Sequence, residues 1–307
     1  MENKIGLIGN PVEHSRSPEL FQEFFDDFPQ ESWKYHLWKI TDIQNVISQI
    51  NDVALRGFNI TIPHKTSIIP QLQYLSSDAL TIQAVNTAIS IPNVPLARQL
   101  LLERWEKSNP SQSIPTNQNL GLNPSPHHSG SLTDKILVGF NTDVLGFVDL
   151  VKETATNNRS NTFVPPKETY AQAVIIGDGG SAKSVQYALK QLQIPFIQYS
   201  RRENSRNNVQ SMEALATRAP QSNTLWVNTT PVGMHPHTTD MPQVPPSTIH
   251  RTDTLIDLIY NPLQTQLMAF FENQGSQTHN GFTMLKSQAR HAWKLFRISA
   301  EIAAEFQ

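Results

Sequence analysis

Gly57-Phe58-Asn59-Ile60-Thr61-Ile62-Pro63-His64-Lys65 alternates apolar and polar side chains in a way that fits an extended segment. On a strand, Phe58, Ile60 and Ile62 fall on one face and Asn59 and Thr61 on the other. Pro63 has no N–H to give to a ladder and ends the strand. Lys65 follows at the expected start of a helix. The segment thus presents two small polar groups and delivers a lysine to one end. Taken alone it reads equally well as an amphipathic strand with a solvated lysine. The chain on either side has to decide.

Upstream, residues 4–9 read as a first strand broken by Gly9-Asn10-Pro11. His14-Ser15-Arg16-Ser17-Pro18 then opens a helix, with Ser17 as a good N-cap and proline at the first helical position. Trp33 to Ile40 reads as the next strand, and Asp42 caps a helix with apolar positions at Ile43, Val46, Ile47 and Ile50. With the 57–62 strand and a helix after it, this alternation predicts an α/β domain with a mainly parallel sheet.

The 307 residues suffice for two domains. A net charge of -2 gives no reason to invoke nucleic acid or an anionic membrane. The absence of cysteine excludes disulfides, thiolate catalysis and cysteine-ligated metal centres, and fits a cytoplasmic protein. No apolar run approaches the roughly 20 residues of a membrane span, and the N-terminal stretch lacks the apolar region of a signal peptide.

Residues 91–136 are different in composition. A short helix is possible at 97–106, but Ser108 to Ser131 is rich in Ser, Asn, Pro, Gln and His and reads as a mobile surface insertion. His127-His128 within it has no third ligand at metal spacing, so no metal site is expected.

Order returns at Ile136, with a helix from about 143 to 154 capped by Thr142 or Asp143 and a linker at 155–169. Gln172 to Ile176 is an apolar strand running into Gly177-Asp178-Gly179-Gly180-Ser181-Ala182-Lys183, and Val185 to Leu192 is helical. Strand, glycine turn and helix in that order make a nucleotide-binding turn. Glycines let backbone N–H groups approach a pyrophosphate, and the helix N-terminus favours its charge. The next strand, Pro195 to Tyr199, ends at Ser200-Arg201-Arg202 rather than at an acidic residue. Two guanidiniums there suit a 2′-phosphate, which favours NADP(H) over NAD(H). Strands at Thr224 to Asn228 and Thr254 to Asp257, and a final helix from about Thr283 to Phe306, complete the chain.

These strings, in order, resemble the shikimate dehydrogenase family. The resemblance is carried by His14 to Pro18, Gly57 to Lys65, Ala84-Val85-Asn86-Thr87, Asn141 to Gly146 and the glycine turn. It continues through Asn228-Thr229-Thr230-Pro231-Val232-Gly233-Met234, Asp257 to Pro262 and Gly281 to Gln288, and spans nearly everything except 91–136. It implies NADPH-dependent, reversible reduction of 3-dehydroshikimate to shikimate in aromatic amino acid biosynthesis. It implies Lys65 and Asp143 as catalytic residues, with Ser15, Ser17, Thr61, Asn86, Tyr260 and Gln288 binding substrate. It implies NADP contacts at Gly177, Gly179, Gly180, Ser181, Ser200, Arg201, Arg202, Leu258 and Gly281. The chain departs from the family pattern at Phe21-Gln22, Gln83, Asp178, Lys183, Ser200 and Arg202, none of them a catalytic position.

The chemistry is consistent on independent grounds. Hydride reduction of a ketone develops negative charge on oxygen, which a cation able to donate a proton stabilises. Lys65 at a helix N-terminus would have its charged form disfavoured by the macrodipole. Asp143 could orient the lysine and accept hydrogen bonds from ring hydroxyls, or merely cap the following helix. Asn59 has no assigned partner.

Two α/β domains flanking a cleft are therefore expected. Residues 1–142 plus about 265–307 form a substrate-binding catalytic domain, and 143–264 a Rossmann-like NADP-binding domain. The partner is a small molecule, with neither nucleic acid nor membrane, and the protein is a monomer or homodimer. The alternatives are a quinate/shikimate dehydrogenase using NAD and a non-catalytic dinucleotide-binding sensor.

Overall fold

The computed structural model describes residues 2–13, 15–46, 54–108, 123–124, 134–155, 164–201, 203 and 208–306. Ile47, Ile50, His14, the His127-His128 pair and Arg202 lie outside the described residues. The chain divides into two compact units, Met1–Thr142 with Gln288–Gln307, and Asp143–Ser287.

The first unit is built on a seven-stranded sheet. Its strands are β1 (Asn3–Gly9), β2 (Trp33–Lys39), β3 (Gly57–Ile60), β4 (Tyr74–Leu75), β5 (Thr87–Pro92), β6 (Asn123–Pro124) and β7 (Lys135–Phe140), in the order β2-β1-β3-β5-β7-β4-β6. The helices are α1 (Ser17–Asp26), α2 (Ser77–Ile82) and α3 (Pro95–Ser108). The sheet is mixed rather than mainly parallel. β1 runs parallel to both β2 and β3, but β5 is antiparallel to β3 and to β7. The cause is the link from β5 to β7: it returns along the neighbouring strand, as a hairpin does, instead of crossing over a face. The core on one side of this sheet gathers Ile8, Phe58, Ile60, Ile68, Leu72 and Val85, all nearly sealed from solvent.

Pro92 pairs with Lys135, so the polar insertion leaves and re-enters the sheet at adjacent strand ends. That placement lets a long connection be tolerated at small entropic cost. Its described parts are structured: α3 exceeds the expected 97–106 helix at both ends, and β6 pairs antiparallel with β4.

The opening strand is shorter than its alternation implied. β3 stops at Ile60, and Ile62 is 57% exposed instead of joining Phe58 and Ile60 in the core. Residues 62–68 form consecutive turns, followed by a 3-10 turn at Ile69–Gln71. No helix starts at Lys65, so the helix-dipole argument for its charge falls away. Ser17 does not cap α1 either; Arg16 occupies the N-cap position without a side-chain capping bond to the helix N–H groups, and the helix already includes Ser17. Asp42 does cap as expected, its carboxylate accepting from the Gln44 N–H at 3.0 Å.

The second unit carries a six-stranded sheet, parallel throughout. Its strands are β8 (Gln172–Ile176), β9 (Phe196–Ser200), β10 (Val209–Ser211), β11 (Thr224–Asn228), β12 (Thr254–Asp257) and β13 (Gln277–Asn280), in the order β10-β9-β8-β11-β12-β13. Its helices include α4 (Thr142–Ala155, which begins one residue before the unit does), α5 (Pro166–Thr169), α6 (Gly180–Gln191), α7 (Met212–Leu215) and α8 (Gln266–Asn273). Strand order reverses between β8 and β11, the point where ligands bind in sheets of this kind. The return of the chain to the first unit comes later than the expected 265. Residues 266–280 make α8 and β13, and β13 extends this sheet by pairing with β12. The long final helix α9 (Phe282–Glu305) contains the division, which falls after Ser287.

Candidate active site

Four site residues of the first unit, Ser15, Ser17, Asn86 and Gln288, lie along one hydrogen-bonded path. Ser15 Oγ donates to Ser17 Oγ at 3.1 Å, and the Ser17 N–H donates back to Ser15 Oγ at 3.2 Å. Ser17 also bonds the Tyr35 phenol, whose pKa burial raises well above the ordinary tyrosine value. Tyr35 donates to Asn59 Oδ1 at 3.0 Å, and Asn59 Nδ2 donates to Thr87 Oγ1 at 3.2 Å. Thr87 donates in turn to Asn86 Oδ1 at 3.2 Å. Asn86 accepts from the Thr142 N–H at 2.7 Å, and its Nδ2 donates to Thr142 Oγ1 at 3.0 Å and Gln288 Oε1 at 3.4 Å.

Several local features force this arrangement. β3 places Asn59 opposite Thr87 on β5, and β5 lies between β3 and β7, so Asn86 and the residues after Phe140 converge. The Ile60 N–H donates to the Asn86 carbonyl, and the Asn86 N–H to the Phe140 carbonyl. Asn141 Nδ2 donates to the Ala84 carbonyl at 3.0 Å, tying the third and fourth strings together. The Lys65 carbonyl accepts from the Val85 N–H at 2.7 Å, which fixes the lysine backbone beside the Asn86 string. Thr61 donates its N–H to Ile8, and a Cβ on Gly9 would lie 2.3 Å from the Thr61 methyl, so only glycine admits this approach.

Buried polar groups this numerous are stable only when mutually satisfied. Tyr35, Asn59, Thr87 and Thr142 are the members that reading the sequence did not assign. Thr87 and Thr142 flank assigned positions and were within reach of that reading. Tyr35 had no signal, because the β2 sequence Trp-Lys-Tyr-His-Leu-Trp-Lys shows no distinctive pattern.

Asp143 opens the second unit and lies inside the first turn of α4, as does Thr142, so neither occupies the cap position. In the same unit the glycine turn follows β8. Gly177 has φ +113, and a Cβ there would lie 2.4 Å from Thr229 Oγ1 on the loop after β11. Gly179 has nothing within 4 Å of a built Cβ, and α6 begins at Gly180 with no side-chain cap. The turn is therefore packed tightly behind and open in front, with uncapped helix N–H groups, which fits a dinucleotide phosphate. A Cβ on Gly281 would meet the Leu258 carbonyl at 2.1 Å, so these two cofactor-site positions lie in close backbone contact. Ser200 ends β9 and is buried, while Arg201 is exposed. Tyr260 is half-buried.

Behind these loops Asp257 is sealed from solvent. Its oxygens accept from Asn228 Nδ2 at 2.9 Å, the Ile259 N–H at 3.2 Å and Thr265 Oγ1 at 2.7 Å. Burial raises its pKa, against the lowering effect of those hydrogen bonds.

Comparison with known proteins gives one answer. Residues 7–88 match the family model of the shikimate dehydrogenase substrate binding domain. A shikimate dehydrogenase (NADP(+)) of Caldanaerobacter subterraneus subsp. tengcongensis is 26% identical over 95% of this chain and 90% of its own length. That of Desulforamulus reducens is 28% identical over 95% of this chain and 88% of its own length. The crystal structure of shikimate 5-dehydrogenase from Thermus thermophilus, in complex with NADP(H) and shikimate, superposes with a TM-score of 0.67. It is 21% identical over 99% of this chain and all of that one, and so bears on the fold alone.

The fold and these matches define a dinucleotide-dependent α/β oxidoreductase with a substrate-binding domain and a Rossmann-like domain. Within that class, the likeness is to the shikimate dehydrogenases: their substrate binding domain matches residues 7–88, and the relatives named above align with 95% of the chain.

Proposed function

We propose that this chain catalyses the reversible, NADPH-dependent reduction of 3-dehydroshikimate to shikimate, a step of aromatic amino acid biosynthesis. The observation that carries this reading is the hydrogen-bonded path from Ser15 to Gln288. It joins four of the substrate-binding positions implied by the resemblance, and its longest single bond, Asn86 to Gln288, spans 202 residues.

In this reading Ser15 and Ser17 donate to the substrate carboxylate, and Thr61, Asn86, Tyr260 and Gln288 bind the ring and its hydroxyls. The glycine turn, Ser181, Ser200, Arg201, Arg202, Leu258 and Gly281 hold NADP(H), which supplies the hydride. Lys65 meets the charge developing on the carbonyl oxygen and gives it a proton. Asp143 accepts a hydrogen bond from a ring hydroxyl and keeps it oriented. Removing such a proton donor costs typically about 10²–10⁴-fold in rate.

No helix among the described residues is long and apolar enough to cross a membrane. We read the protein as a cytoplasmic monomer or homodimer. Lys65→Ala tests the catalytic assignment. It should bind NADPH and shikimate as the parent does and lose turnover; an unchanged rate would overturn the role of Lys65.

A further inference from the structure

We infer that Gln198 is a positioning residue for nucleotide binding, holding the Gly177 carbonyl so that the N–H groups after it face the dinucleotide. The inference deepens the functional reading above and rests on it.

Gln198 lies in the middle of β9 and is 3% exposed. A central strand of a parallel sheet ordinarily buries apolar side chains on both faces. An amide at such a position costs stability unless its groups are satisfied. Both ends of this one are used. Nε2 donates to the Gly177 carbonyl at 2.7 Å, and Oε1 accepts a short hydrogen bond from Gln186 Nε2 on α6. Gly177 also donates its own N–H to the Tyr199 carbonyl at 2.8 Å. Both peptide groups of Gly177 are therefore fastened to β9.

The consequence follows from peptide geometry. In a trans peptide the C=O and the next N–H point in opposite directions. Fixing the Gly177 carbonyl toward Gln198 directs the Asp178 N–H away from β9. That turn leads into Gly179, beside which a Cβ would find open space, and into the uncapped start of α6. Successive N–H groups aimed into one space form an anion-binding concavity. The φ of +113 at Gly177 permits this orientation but does not select it, because glycine is conformationally permissive. Gln198 supplies the selection, and through Gln186 it ties the turn to the helix that the phosphates face.

The test compares Gln198→Met, which keeps length and loses the donor, with Gln186→Met, which removes only the far bond. Gln198→Asn, one methylene too short to reach Gly177, serves if the methionine variant folds poorly. NADPH dissociation constants are measured on the full chain, alongside hydrogen exchange of the turn amides without nucleotide and KM for shikimate. Losing one such buried bond predicts NADPH binding weaker by about tenfold in both Gln198 variants. Exchange at residues 178–180 should quicken, while KM for shikimate and kcat at saturating nucleotide stay at parent values. Gln186→Met should retain most of the affinity. Parent-like NADPH affinity in the Gln198 variants would overturn the inference and leave the functional reading standing. A parent chain that binds no NADPH would overturn both.

Discussion

Asn86 and Gln288 are 202 residues apart in the chain, and Asn86 Nδ2 donates to Gln288 Oε1 at 3.4 Å. Both also bond Thr142, so the last helix is fastened to the middle of the first sheet through polar groups. A helix held only for packing would meet the sheet with apolar side chains. Here α9 also brings Phe296 against Phe21, so an apolar contact coexists with the polar one.

Asn59 is the hub through which the serine pair communicates with this cluster, and its removal should be felt as stability. Asn59→Leu keeps the volume, deprives the Tyr35 phenol of its acceptor and leaves Thr87 with its other partners. We expect a loss of about 2 kcal/mol, the cost of one buried polar group left unmet. Urea denaturation measures it. A change below about 0.5 kcal/mol, the range of ordinary surface substitutions, would contradict a structural role.

The two glycines of the nucleotide turn should fail differently. In Gly177→Ala the new methyl would sit 2.4 Å from Thr229 Oγ1 at a backbone φ of +113, so folding stability and NADPH binding should both fall. Gly179 has ordinary φ of -77 and open space, so Gly179→Ala should leave thermal stability unchanged and weaken only NADPH binding. Thermal melts and NADPH titrations of the two variants separate these effects. Equal melting losses would contradict the assignment of that space to a ligand.

Asp257 gives a pH dependence with a definite sign. Its pKa in the folded protein is raised from 3.8 by burial. The folded state therefore binds the proton more tightly than the unfolded state. The stability this group contributes falls as pH rises above 3.8, and levels off once the raised value is passed. Asp257→Asn keeps an acceptor for Asn228 and Ile259 and removes the titration. The stability difference between variant and parent should grow in the variant's favour across that window. A difference independent of pH would contradict the burial argument.

How much was legible depended on what each segment buries. Thr224–Asn228 and Thr254–Asp257 were read at their true bounds, because fully buried parallel strands appear as compact apolar runs between turns. β13 was missed because Gln-Thr-His-Asn has no apolar pattern; it is an edge strand whose side chains are mostly half-exposed. Lys65 is expected at a helix start, and the apolar residues at 68, 69 and 72 do have helical spacing, but the chain there turns repeatedly to bury Ile68, Ile69 and Leu72. Strings resembling a known family located most of the polar path, but Tyr35 enters it only through the pairing of β2 with β1, which brings it to Asn59.

The central claim is the reaction itself. The most direct measurement is oxidation of shikimate and of quinate by the purified chain, each with NADP and with NAD, followed by the absorbance of the reduced nucleotide. Turnover of shikimate with NADP should lie well above the other three combinations. Absence of turnover in all four would contradict it, and faster turnover of quinate with NAD would replace it with the quinate/shikimate reading.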